Sequence, residues 1–80
     1  MLAKHFVVEY HGQFISRFCN DVTVLVGDLS SARLFPTVES ARETAQAMSL
    51  RLGVHPAELK VRRVYADLHI PHAIITTSAR

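Results

Sequence analysis

The apolar and polar positions of this chain change period along its length, and each change marks an element. Residues 5–10 (HFVVEY) set Phe6, Val8 and Tyr10 on one side of an extended chain and Val7 and Glu9 on the other. His11-Gly12 interrupts the run, and residues 13–18 (QFISRF) resume it, with Phe14, Ser16 and Phe18 alternating against Ile15 and Arg17. Two such runs across a glycine predict a β-hairpin. Cys19-Asn20-Asp21 predicts the next turn, because Asn and Asp side chains bond their own backbone and tolerate left-handed geometry. Residues 22–26 (VTVLV) carry apolar side chains on both faces, the pattern of a central or doubly covered strand.

From residue 35 the period lengthens. Val38, Ala41, Ala45, Met48 and Leu52 recur at spacings of three and four and so share one face of a helix. Thr37 is placed to cap its first turn, Glu39 puts negative charge near its positive end, and Gly53 can take the positive φ that ends it. Fully burying Val38, Met48 and Leu52 contributes roughly 1.5–3 kcal/mol each. Ahead of the helix, residues 27–33 read as a turn entering a short helical turn that Asp28 can cap. Leu34 and Phe35 then drop into the core, Phe35 packing back onto the first turns of the helix. The helix's other side carries Glu39, Arg42, Glu43, Gln46 and Arg51, a solvated face of mixed sign.

Beyond Gly53, His55 is biased extended because it precedes Pro56, and residues 59–68 predict the closing strand. Its alternation slips at Arg62-Arg63: Leu59 and Val61 share one phase, while Val64, Ala66 and Leu68 share the other. A β-bulge produces such a slip, and so does an exposed apolar face. Pro71 keeps the tail out of a central strand, leaving residues 73–77 as an edge strand or an arm. The order β-β-β-α-β, with room for a further C-terminal strand, predicts a two-layer α+β fold. In it, an antiparallel sheet of three to five strands is covered by one helix. Residues 1–68 form the domain and 69–80 the arm or edge strand.

Composition agrees with one small domain: 49% of residues are apolar, and the 20% charged content argues against wholesale disorder. The pI of 9.1 corresponds to a formal net charge of only +2, well short of the excess usual in a nucleic-acid-binding domain. Cys19 is the one cysteine, the first five residues lack a signal-peptide pattern, and no run of about 18 apolar residues occurs. These features predict a cytoplasmic chain with no membrane part.

Candidate chemistry is sparse. His69-Ile70-Pro71-His72 sets two imidazoles three residues apart, but Pro71 prevents the helix that would align them, and Cys19 has no CxxC partner. No metal and no cofactor are therefore assigned. Cys19 as a nucleophile would need His5 or His11 as its base, and no Ser-His-Asp, phosphate-loop or dinucleotide pattern is present. The chain reads as a non-enzyme with no catalytic residues. The cations are more informative: Lys60 and Arg62 project to one side of the last strand, with Arg63 on the other unless a bulge intervenes. Together with Arg17, Arg33 or Lys4 they form a candidate surface for an acidic protein or for phosphate. The same charges also serve to discourage edge-to-edge aggregation of a sheet. His11 at the hairpin turn, and Ile74 and Ile75 in the tail, complete the candidate binding residues. The tail can add to a partner's edge strand and build a homodimer.

The arrangement FVVEYHGQFIS, then DLSSARLFPTVESARETAQAM, then LKVRRV resembles small uncharacterised proteins of phages and prophages over roughly residues 4–66. The shared signposts, Ala32, Phe35 and Thr37 among them, are structural, and no functional residue is carried over. The resemblance implies a mobile-element accessory protein that binds and inhibits or modulates a larger host complex, anti-CRISPR and other host-defence inhibitors being one such class. The alternative is a small nucleic-acid-binding domain using the basic strand from Lys60 to Arg63.

Overall fold

The computed structural model describes residues 3–19, 22–66 and 75–77. Among the described residues five strands form, β1 (Ala3–Tyr10), β2 (Gln13–Cys19), β3 (Val22–Val26), β4 (Leu59–Ala66) and β5 (Ile75–Thr77), with one α-helix, α1 (Val38–Leu52). All neighbouring strands are antiparallel, in the order β3-β2-β1-β4-β5, and α1 packs on β1 and β4. This is the two-layer α+β arrangement that the sequence predicts. β1 and β4 pair along their whole length, from Ala3 opposite Ala66 to Tyr10 opposite Leu59.

The β1–β2 hairpin turns through His11 (φ 50) and Gly12 (φ 81), both left-handed, as a two-residue loop matched to strand twist requires. Only two pairs follow the turn, Glu9 with Phe14 and Tyr10 with Gln13. Beyond them the hairpin opens into a fork, and residues 33–35 fill it. The Phe6 N–H donates to the Phe35 carbonyl at 2.8 Å, and the Phe35 N–H donates back at 2.7 Å. On the other prong, the Arg33 N–H donates to the Ile15 carbonyl at 2.8 Å. A bulge at Ser16 bends β2 at this point, which helps it diverge from β1. Phe35 is extended because a proline follows, and Pro36, having no N–H, cannot continue the ladder. The chain therefore leaves the sheet at once and enters α1.

The helix has the caps that the sequence specifies. The Thr37 hydroxyl accepts from the Ser40 N–H at 3.1 Å, and Gly53 sits at φ 69, ψ 33 with its N–H on the Ser49 carbonyl. Ala41, Ala45 and Met48 are buried against Val8, Ile15, Phe35 and Leu59. Leu52 departs from expectation. Its angle around the helix is right, but at the last helical residue it is only partly covered and remains 39% exposed. Val38, at the other end, is half-buried, so the burial energy concentrates in Met48. Ser49, which apolar spacing does not mark, is buried, and its hydroxyl donates to the Val54 carbonyl at 3.0 Å.

Three further expectations are revised. The register of β4 against β1 is unbroken, so the slip at Arg62-Arg63 is not a bulge. Leu59 and Val61 face the helix, whereas Val64 and Ala66 lie on the opposite side of the sheet, where they and Val7 are fully buried. β3, read as central or doubly covered, is an edge strand whose Val22 and Val24 are exposed. Asp28 does not cap the short turn at Leu29–Ser31 through a backbone amide. Its carboxylate accepts the hydroxyls of Ser30 (2.7 Å) and Ser31 (2.8 Å), which hold its pKa below the ordinary aspartate value. Of the two readings of the tail, Ile75–Thr77 is an edge strand on β4, while Ile74 and the His69–His72 pair lie outside the described residues.

Met48 has no exposed surface in the core, so Met48→Asp puts an unpaired carboxylate where several kcal/mol would be needed to hold it, against a typical total of roughly 5–15 kcal/mol. The expected outcome is loss of the cooperative thermal transition followed by circular dichroism. A variant as stable as the parent would show that another helix face is buried.

Candidate functional site: the sheet face opposite the helix

The helix covers one side of the sheet, so sequence-predicted binding residues must be sought mainly on the other. Register places Glu9 and Val7 there from β1, and Lys60 and Arg62 from β4. Lys60 and Arg62 thus share a face, as the alternation predicts. Arg17 joins them for a reason the sequence does not reveal. The bulge at Ser16 resets the alternation of β2, so Phe18 moves to the helix side with Ile15, and Arg17 moves to the far side with Phe14. Arg63 stands opposite Phe6 on the helix side, away from the other three.

Electrostatics divide the far face further. The Arg62 Nε is ion-paired with Glu9 Oε1, and the Glu9 side chain is only 16% exposed. Lys60 is the residue directly opposite Glu9 across the β1–β4 pair. The basic strand therefore wraps a carboxylate of its own sheet, and Arg62 is a structural cation before it is a binding one. Arg17 lies on β2, one strand beyond β1, on the same face as Phe14 and the β3 valines.

His11 has a different neighbour from those its sequence position suggests. Its Nε2 lies 2.7 Å from Glu58 Oε1, and Glu58 Oε2 accepts the His55 N–H at 3.2 Å. His55 Nδ1 in turn accepts the Ala57 N–H at 3.0 Å. The contacts latch the hairpin turn to the start of β4 and hold the Glu58 pKa below the ordinary glutamate value, the His11 bond first and the His55 amide second. His11, Glu58 and Lys60 line an open concavity of about 210 Å³. A larger open groove of about 440 Å³, between α1 and β4, has Ala45, Leu59 and Val61 in its lining with Arg42 and Gln46. Cys19 is exposed at the end of β2 far from His11, roughly 20 Å along a strand rising ~3.3 Å per residue, so those two do not form a nucleophile–base pair.

The feature that the candidate residues overlooked is the β2–β3 end of this face. Val22 is 46% exposed and Val24 39% exposed, on the same side as Phe14 and Arg17. Apolar alternation alone cannot find this, because VTVLV reads the same in a covered strand as in a bare one. Among the described residues, no three His, Cys, Asp or Glu side chains gather where they could hold a metal, and no helix is long and apolar enough to cross a membrane.

Removing the Arg62 guanidinium leaves a largely buried carboxylate without its partner, so Arg62→Ala is expected to lower unfolding free energy by about 1–3 kcal/mol. Lys60→Ala, at an exposed position, is expected to stay within about 0.5 kcal/mol of the parent. Urea titration of both variants checks this, and equal losses would show that the Glu9 pair carries no special weight.

The chain matches no protein-family model, no curated protein and no solved structure.

Proposed function

We propose that this protein is a non-enzymatic interaction module that binds a partner protein on the sheet face opposite the helix, at the β2–β3 end. The observation that carries the reading is the exposed valine pair, Val22 and Val24, set beside Phe14 and the Arg17 guanidinium. Apolar surface of this kind rimmed by a charge is the usual composition of a protein–protein contact, with arginine favoured over lysine there. The resemblance to phage and prophage proteins supports a role as a mobile-element accessory protein. Its partner would then be a larger host complex that it inhibits or modulates, in the manner of an anti-CRISPR or other host-defence inhibitor. The acidic or neutral partner surface this patch suits is one that offers a carboxylate to Arg17 and apolar side chains to the valines.

The alternative, a nucleic acid bound along Lys60 to Arg63, rests on fewer cations than the sequence suggests. Arg62 is engaged by Glu9 and Arg63 is on the other side of the sheet. Steep salt dependence of any DNA or RNA binding is the property that would favour it.

Affinity capture from host lysate, read by mass spectrometry, tests the proposal. The tagged chain is expected to retain one defined protein complex, and Arg17→Glu is expected to lower its recovery at least tenfold while leaving the thermal transition in place. Equal recovery by parent and variant would place the contact elsewhere, and a salt-sensitive gel shift with DNA or RNA instead would support the alternative.

A further inference from the structure

We infer that the chain pairs with a second copy of itself along β3, the two strands running antiparallel about a twofold axis at Val24. This goes beyond the partner reading above and does not depend on it, since it needs no host protein.

The composition of β3 contradicts its position. VTVLV has no charge and no proline and is largely apolar on both faces, so nothing in it guards an open edge. Yet β3 ends the sheet, with no strand on its outer edge among the described residues. Edge strands usually carry a lysine, a proline, a bulge or an inward charge that prevents another strand from adding. β3 has none of these, and the bulge nearby belongs to β2. Backbone groups on such an edge are free to take a further strand in place of water.

An identical strand fits this edge. An antiparallel pair centred on Val24 sets Val24 against its counterpart and Val22 against Val26 of the other copy, with no like charges opposed anywhere along the five residues. That register keeps both helices on one side of a joined sheet and brings six valines, three from each copy, together on the other. A slip of one residue would set valines against Thr23 and Leu25 and put the helices on opposite sides, leaving the valines apart. The helix does not obstruct the approach, because it packs chiefly on β1 and β4, and β1 is the third strand in from this edge. An isologous twofold contact of this kind closes on itself and does not propagate into fibres. It would also set the two copies of Arg17 and Phe14 on one continuous face.

The test uses the purified full chain. Sedimentation equilibrium is expected to give twice the 8.9 kDa chain mass, and Val24→Lys, at an exposed position, to halve it without loss of the thermal transition. A second measurement fixes the register. In a Cys19→Ser background, Val24→Cys is expected to form a disulfide-linked dimer under mild oxidation, because opposed strand residues lie about 4.5–5.5 Å apart at Cα. Val22→Cys, opposite Val26 of the other copy, is expected not to. A monomer mass at millimolar concentration, a dimer that survives Val24→Lys, or equal cross-linking by both cysteine variants would each overturn the inference. Loss of the dimer contact would not touch the host-partner reading, which capture tests separately.

Discussion

The reciprocal backbone bonds between Phe6 and Phe35 are the contact on which the rest of the structure depends. They close the gap that opens when β1 and β2 diverge after two pairs, with Arg33 bonding β2 from the other side. Without that insert, the inner edges of both strands would leave amides and carbonyls unpaired beside the core, at a cost comparable to several lost hydrogen bonds. The insert also delivers the Phe35 side chain, 3% exposed, into the cluster formed by Val8, Ile15, Ala41 and Met48. Two residues later Thr37 caps the helix, so the start of α1 is anchored to the sheet by the same short segment. Three links of the fold, hairpin, core and helix entry, thus share one tether.

Elements set by local chemistry were legible in the sequence. The hairpin turn needs positive φ at His11 and Gly12, the helix needs its Thr37 and Gly53 caps, and both are local demands. What was not legible depends on distant residues. The slip in β4 records a core that crosses from one side of the sheet to the other, Leu59 and Val61 facing α1 and Val64 and Ala66 facing away. Nothing local to β4 distinguishes that from a bulge. The real bulge, at Ser16, exists where β2 must bend away from β1, and only the full ladder shows that. Leu52 carries the right helical angle but, as the last residue of the helix, stays 39% exposed.

The candidate site follows the same division. That Lys60 and Arg62 would share a face was readable from alternation, whereas the Glu9 carboxylate that engages Arg62 comes from a strand about fifty residues away in sequence and was not. Arg17 reached the far face only through the bulge. His11 and Glu58 met because the β1–β4 register brings the hairpin turn to the entrance of β4. The basic cluster thereby became mostly scaffold, and attention moves to the open end of the sheet, where β3 combines a covered strand's composition with an edge strand's place.

Native-state hydrogen exchange followed by NMR tests the dependence on the Phe6–Phe35 tether most directly. The amides of Phe6, Arg33 and Phe35 are expected to exchange with the same opening free energy as those of Val7 and Val64 in the central strand pair, because the insert can open only when the whole domain does. Exchange of Arg33 and Phe35 at the rate of exposed loop amides, while β1 and β4 stay protected, would contradict the account. The insert would then be a passive crossing and not the contact that holds the fold together.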